Sequence, residues 1–223
     1  MPDGQYSFYL HSDDRTDIAA MATISTISQP LRGEFIRTAA TAGAVVYQVD
    51  ARLPALIPVF FAGQLSAVRL CAVMALVSGT WYSLTGLPDE PENGGAALPV
   101  SPETEYQRRR YTLTLQNGRS GERVESVLTE ASSRLRGDLL RNLIITGLAL
   151  HTTAPELPRL LASMPVPPTS VSELQALVQQ MAGTADVNRA AAAVPDTPAA
   201  SAAPVSGSDT REIKKNMRRA FGD

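Results

Sequence analysis

One stretch of this chain occurs twice, and that repeat constrains the fold more than any other feature. Residues 31–56 read LRGEFIRTAATAGAVVYQVDARLPAL, and residues 135–160 read LRGDLLRNLIITGLALHTTAPELPRL. Without a gap, Leu31, Arg32, Gly33, Arg37, Gly43, Leu53, Pro54 and Leu56 recur as Leu135, Arg136, Gly137, Arg141, Gly147, Leu157, Pro158 and Leu160. Glu34 recurs as Asp138. Upstream of each copy lies a short alternating segment, QYSFYL at 5–10 and RYTLTL at 110–115. Tyr6, Phe8 and Leu10 match Tyr111, Leu113 and Leu115. A period of two marks a strand with one buried face. Each module therefore reads strand, helix, helix, and two modules in one chain point to duplication about a pseudo-twofold axis.

Along the chain, the first strand leads into a polar turn at 11–14, where Asp13 or Asp14 is placed to cap a helix over 17–27. Ser28 reads as the next N-cap, with Pro30 in the first turn. The helix that follows runs to about Tyr47, with Phe35, Ile36, Ala39, Ala40, Gly43 and Val46 as its buried stripe. Residues 55–79 are apolar enough to invite a membrane span. Pro58 and Gly63 interrupt them, Gln64 and Ser66 dilute them, and Arg69 would be costly in lipid. Two packed helices split near Gly63 are therefore expected. A membrane-associated component built around 55–79 is the rival reading from another class.

Residues 86–105 carry Pro, Gly and acidic groups without periodicity and read as a linker. As a flexible coil it spans roughly 25 Å, ample for the second strand to return beside the first. In the second module, from 106, Arg108, Arg109 and Arg110 lead into the strand. Val124, Val127, Leu128 and Ala131 mark a helix over 122–131. Ser132 or Ser133 is the expected cap of the helix that runs on to about His151. Shorter, more polar helices are expected over 155–162 and 172–181. Residues 183–208 are rich in Ala, Pro, Ser and Thr and cannot bury enough surface to order themselves. Over 209–223, Ile213, Met217, Ala220 and Phe221 form an apolar stripe, with Lys214, Lys215, Arg218 and Arg219 beside it. A short amphipathic helix on such a tether is a segment that folds when it meets a groove. The expected fold class is mainly α with a short two-stranded antiparallel ribbon. It comprises tandem modules with helical caps (1–85 and 106–182) and a disordered tail.

Composition excludes several functions. The net charge of −2 means that any nucleic-acid surface must be a local patch. Cys71 is the only cysteine, so no intrachain disulfide forms and a reducing compartment is expected. No basic segment followed by an apolar run opens the chain, so no secretory signal is expected. His11 and His151 are isolated from metal-ligand spacing, which argues against a metal site. The phosphate-binding loop, the dinucleotide fingerprint and the nucleophile elbow are all missing. A non-enzyme without a cofactor is expected.

A lone strand with two helices is not a stable sheet. The economical partner is the strand of the other module, in a ribbon-helix-helix arrangement whose ribbon fits the major groove of DNA. Alternation turns Tyr6, Phe8, Leu10, Tyr111, Leu113 and Leu115 toward the helices. Gln5, Ser7, Tyr9, Arg110, Thr112 and Thr114 face outward as the base-contact candidates. Each second helix presents free amides and a positive dipole end to a phosphate. Gly33 and Gly137 permit close approach there, and Arg32 and Arg136 add charge. Arg108 and Arg109, beside the strand, complete the phosphate-contact candidates.

These residues carry a resemblance. Residues 31–60, with Arg37, Ala39, Ala40, Thr41, Ala42, Gly43, Tyr47 and the run Asp50–Pro54, are similar to the ParR/StbB plasmid partition adaptors. The resemblance is good over the first module and fair over the second. It implies a cytoplasmic bacterial ribbon-helix-helix protein that binds centromere-like DNA repeats and self-associates on them. It implies too that the C-terminus engages an actin-like ATPase of the ParM type. Ile213, Lys214, Lys215, Met217, Arg218 and Phe221 match the filament-binding end of that family. The departure is the duplication, since such adaptors carry one module per chain. An intrachain ribbon and a ribbon between two chains both stay open. A ribbon-helix-helix transcriptional repressor is the rival with the same fold.

Overall fold

The computed structural model describes residues 4–80 and 107–192, with side chains as far as Gly183. Strand β1 (Gln5–His11) pairs antiparallel with strand β2 (Arg108–Thr114), so the ribbon is intrachain. After β1 come α1 (Arg15–Ser25), a single 3-10 turn (Gln29–Leu31), α2 (Arg32–Val49), α3 (Leu53–Phe60) and α4 (Ala67–Ser78). After β2 come α5 (Arg119–Glu130), α6 (Arg136–Thr153), α7 (Leu157–Ser163) and α8 (Val171–Ala192). The described residues up to Val187 form one compact unit.

Each module thus carries a strand and four helices, and small details repeat between them. Ser66 caps α4 by accepting from the Arg69 amide at 3.3 Å, and Ser170 accepts from the Glu173 amide at 3.2 Å. The Thr16 hydroxyl donates to the Pro58 carbonyl, and its twin Ser120 donates to the Ala162 carbonyl. The expected split of 55–79 is real: α3 ends at Phe60 and α4 begins at Ala67. Among the described residues no helix is long and apolar enough to cross a membrane.

Of the other local expectations, the first is met and the rest need correction. Asp14 caps α1, accepting from the Asp17 amide at 3.0 Å. Ser28 and the 132–133 pair do not cap the second helices with their side chains. Instead the Ser28 and Ser132 carbonyls accept from the Leu31 and Leu135 amides, and these turns wind into the helices. Helix α8 runs to Ala192, well beyond Met181 and into the stretch expected to lack structure. Alanines at 182, 185 and 190–192 favour a helix there, since Ala has the best helix propensity.

The modules interleave in space. Helix α2 packs on α5 and α7 of the second module, and α6 packs on α1, α3 and β1 of the first. The two second helices cross against each other at glycine. A Cβ on Gly43 would run into the backbone of Leu143, and one on Gly147 into the backbone of Ala39. Only glycine allows so close an approach. Around this crossing α2 is buried on nearly every side from Ala39 to Val46, more widely than the expected stripe. Arg141 of α6 adds a cross-module ion pair, reaching Asp17 at 2.7 Å and Asp14 at 3.3 Å. Asp17 is only 1% exposed, and its second carboxylate oxygen accepts from the His11 amide at 2.9 Å.

The ribbon lies on this helical base. Phe8 and Leu10 are wholly buried, and Leu113 and Leu115 nearly so. Each such side chain contributes roughly 1.5–3 kcal/mol. Slipping the register by one residue would expose all four, so burial fixes the pairing. Phe8 faces Tyr111 directly, with stacked rings 5.2 Å apart.

Candidate nucleic-acid interface

Period-two alternation makes one face of the ribbon free, and pairing decides which side chains meet on it. Across the outer face the pairs are Gln5 with Thr114, Ser7 with Thr112, Tyr9 with Arg110 and His11 with Arg108. All six base-contact candidates therefore stand together on one surface. His11 and Arg108 extend the row, and neither was assigned to it by the alternation of 5–10 and 110–115 alone. The signal was present, since each continues its strand's parity by one step.

Two arginines lie across this face. The Arg110 guanidinium donates to the Ser7 hydroxyl at 2.9 and 3.2 Å. Arg108 stacks over the Tyr9 ring, 3.6 Å from its centroid. Neither has an acidic partner among the described residues. A guanidinium fork held in place but without an anion keeps its donors available to a planar acceptor such as a guanine edge or a phosphate.

The phosphate-contact candidates divide. Arg108 joins the outer row, whereas Arg109 pairs with Leu10 on the opposite parity, 5.3 Å from the Tyr111 ring. Arg32 folds back on its own module, donating to the Ile27 carbonyl at 2.8 Å and the Ser25 carbonyl at 3.2 Å. Its twin Arg136 donates to the Ala131 carbonyl at 3.2 Å. Both arginines therefore close the corner between a module's first and second helices, where a cation complements the helix C-terminus. Local sequence gave no sign of this, because those carbonyls come within reach only once the corner is formed.

Gly137 sits against the ribbon, where a Cβ would stand 3.4 Å from the Ser7 carbonyl oxygen; Gly33 is exposed and near only Arg37. The second helices therefore start beside the ribbon, flanked by Leu31 and Leu135, which are 61% and 58% exposed. Burial pushes the Tyr6 hydroxyl above its ordinary range; Glu125 raises it further and nearby Arg136 opposes the shift. Tyr111 is raised by burial too, against Arg109 and Arg32. Tyr6 and Tyr111 thus each lie by the other module's helix start. The partner-binding candidates Ile213, Lys214, Lys215, Met217, Arg218 and Phe221 lie outside the described residues.

Fold and site together define a duplicated strand-helix-helix protein whose halves share one ribbon and leave its polar face open. The family model described as plasmid stability protein matches the chain twice, over residues 4–74 and 109–178. These matches cover more than half of the chain, one for each module, and the protein belongs to that family. Its role accordingly lies in plasmid maintenance. No curated protein and no solved structure matches the chain.

Proposed function

We propose that the protein is a non-catalytic partition adaptor, a single-chain ribbon-helix-helix pair of the ParR/StbB kind. Its ribbon enters the major groove of centromere-like repeats. Its C-terminal residues 209–223 hold an actin-like ATPase of the ParM type. The observation that carries this reading is the outer row of the ribbon. Six hydrogen-bonding side chains stand on one open face, and Arg108 and Arg110 are held there without an ion-pair partner among the described residues. Strand ribbons of this width read base edges in the major groove. Family membership in plasmid stability supports the biological setting.

The test is a pull-down with duplex from the protein's own operon and the neighbouring ATPase. It uses the full chain and a chain ending at 208. Loss of the tail is expected to abolish ATPase capture and to spare duplex binding. Loss of both together would overturn the separation of the two sites. Intact plasmid maintenance without the tail would favour a repressor that uses the same ribbon.

A further inference from the structure

The duplication places a cleft at each end of the ribbon, at twin positions, and the two have opposite charge. At the β1 exit, Asp13, Asp14, Asp17 and Asp138 line a cleft together with Arg108 and Arg141, of which only Arg141 pairs with an acid among the described residues. At the β2 exit lies a cavity of about 350 Å³ lined by Arg37, Arg119 and Arg159, with Glu34 as its one acid among the described residues. Arg37 is the twin of Arg141. Where Arg141 meets the carboxylates of Asp14 and Asp17, the second module has Gly118 and Gly121. The anion that fills the first cleft from within is therefore missing from the second, and Arg159 stands where the first module has Ala55.

Arg119 and Arg159 have no ion-pair partner among the described residues, and Arg37 pairs only with exposed Glu34 on its own helix. The ribbon is equally one-sided. Its pseudo-twofold axis passes between Ser7 and Thr112, which makes Gln5 the twin of Arg110 and Tyr9 the twin of Thr114. The arginines of the outer row crowd the end with the acidic cleft, and neutral Gln5 and Thr114 mark the other.

We propose that the Arg37–Arg119–Arg159 cleft holds a backbone phosphate of the bound duplex while its acidic twin repels one, so that the protein docks in one orientation on a non-palindromic site. This rests on the DNA-binding reading above. One half-site is then read by Arg108 and Arg110, and the other is anchored through its backbone. Direct repeats bound in this way would give every copy the same heading.

The test uses full-length protein and short duplexes from a randomised pool, over a salt series. Wild type, R119A/R159A and R15A are compared; Arg15 is the twin of Arg119, and all three arginines are exposed. R119A/R159A is expected to weaken binding across all sequences, with a salt slope shallower by about one. R15A should leave the slope unchanged, and the sites selected from the pool should lack twofold symmetry. An unchanged slope in R119A/R159A, an equal loss in R15A, or a palindromic selected site would overturn the oriented docking and leave DNA binding standing. Failure of the wild type to bind any duplex would overturn the DNA-binding reading, and oriented docking with it.

Discussion

The crossing of α2 and α6 and the ribbon with its end clefts stand at opposite poles of the same duplication. At the crossing the modules agree: Gly43 and Gly147 bring each helix against the other's backbone, at Leu143 and Ala39. At the ribbon ends they disagree: Asp14 and Asp17 become Gly118 and Gly121, Gln5 answers to Arg110, and Tyr9 to Thr114. Backbone in contact with backbone leaves one solution, because no rotamer can relieve the clash. Half-exposed clefts and an open strand face leave many. The shared scaffold carries the symmetry, and the surface is free to give it direction.

The largest expected effect breaks the symmetric region. G43A or G147A should destabilise the unit by about 4 kcal/mol or more, since the colliding atoms are backbone and cannot swing aside. Urea unfolding measures this. Near-wild-type stability in either variant would show that the two helices can part at the crossing without loss.

The next effect sharpens the contrast between twins. R141A should cost about 3–5 kcal/mol, because it leaves Asp17 buried and ionised with no cation. R37A, which loses only a pair with exposed Glu34, should cost less than about 1 kcal/mol. Equal losses from the two variants would sink the distinction. The pH dependence follows from Asp17. Burial raises its carboxyl above the ordinary range, against the His11 amide and Arg141. Its contribution to stability is therefore full below the ordinary carboxylate value and is lost as pH rises through the raised folded value. Without Arg141 the carboxyl rises further. R141A should thus be weakest near neutral pH and recover toward wild type as pH falls, in unfolding curves taken across the acidic range.

The smallest effect concerns Thr146. Its hydroxyl is buried in α6 without a hydrogen-bond partner among the described residues, while its twin position holds Ala42. T146V keeps the shape and removes the unsatisfied group, so it should raise stability by about 1 kcal/mol in urea. A loss instead would mean that the hydroxyl has a partner, a buried water for example.

Much of the ribbon was legible from residue order. Alternation in QYSFYL and RYTLTL separates the buried Phe8, Leu10, Leu113 and Leu115 from the open Gln5, Ser7, Thr112 and Thr114. Gly63 and Ser66 mark the break between α3 and α4, whereas Pro58, expected to interrupt the run, lies inside α3. The family match falls on the two modules that the internal repeat marks out. The roles of single arginines were not legible. Residue order places Arg32 and Arg136 at a helix start, and it did not show that both bond backbone carbonyls of the preceding corner. Arg109 looked like a companion of Arg108 and lies on the other face.

What the order of residues determined by itself is therefore periodic and local. It specified a strand with one oily face, two helices behind it, and the same unit again, because side chains on regular backbones repeat their directions every two or 3.6 residues. Tertiary structure alone decided which strand positions meet, that the pairing centres on Ser7 and Thr112, and that Arg141 finds Asp17 while Arg37 meets only Glu34 among the described residues. Those outcomes depend on groups far apart in the chain coming within a few ångströms. Charge and hydrogen bonding act over that distance, whatever the separation in sequence.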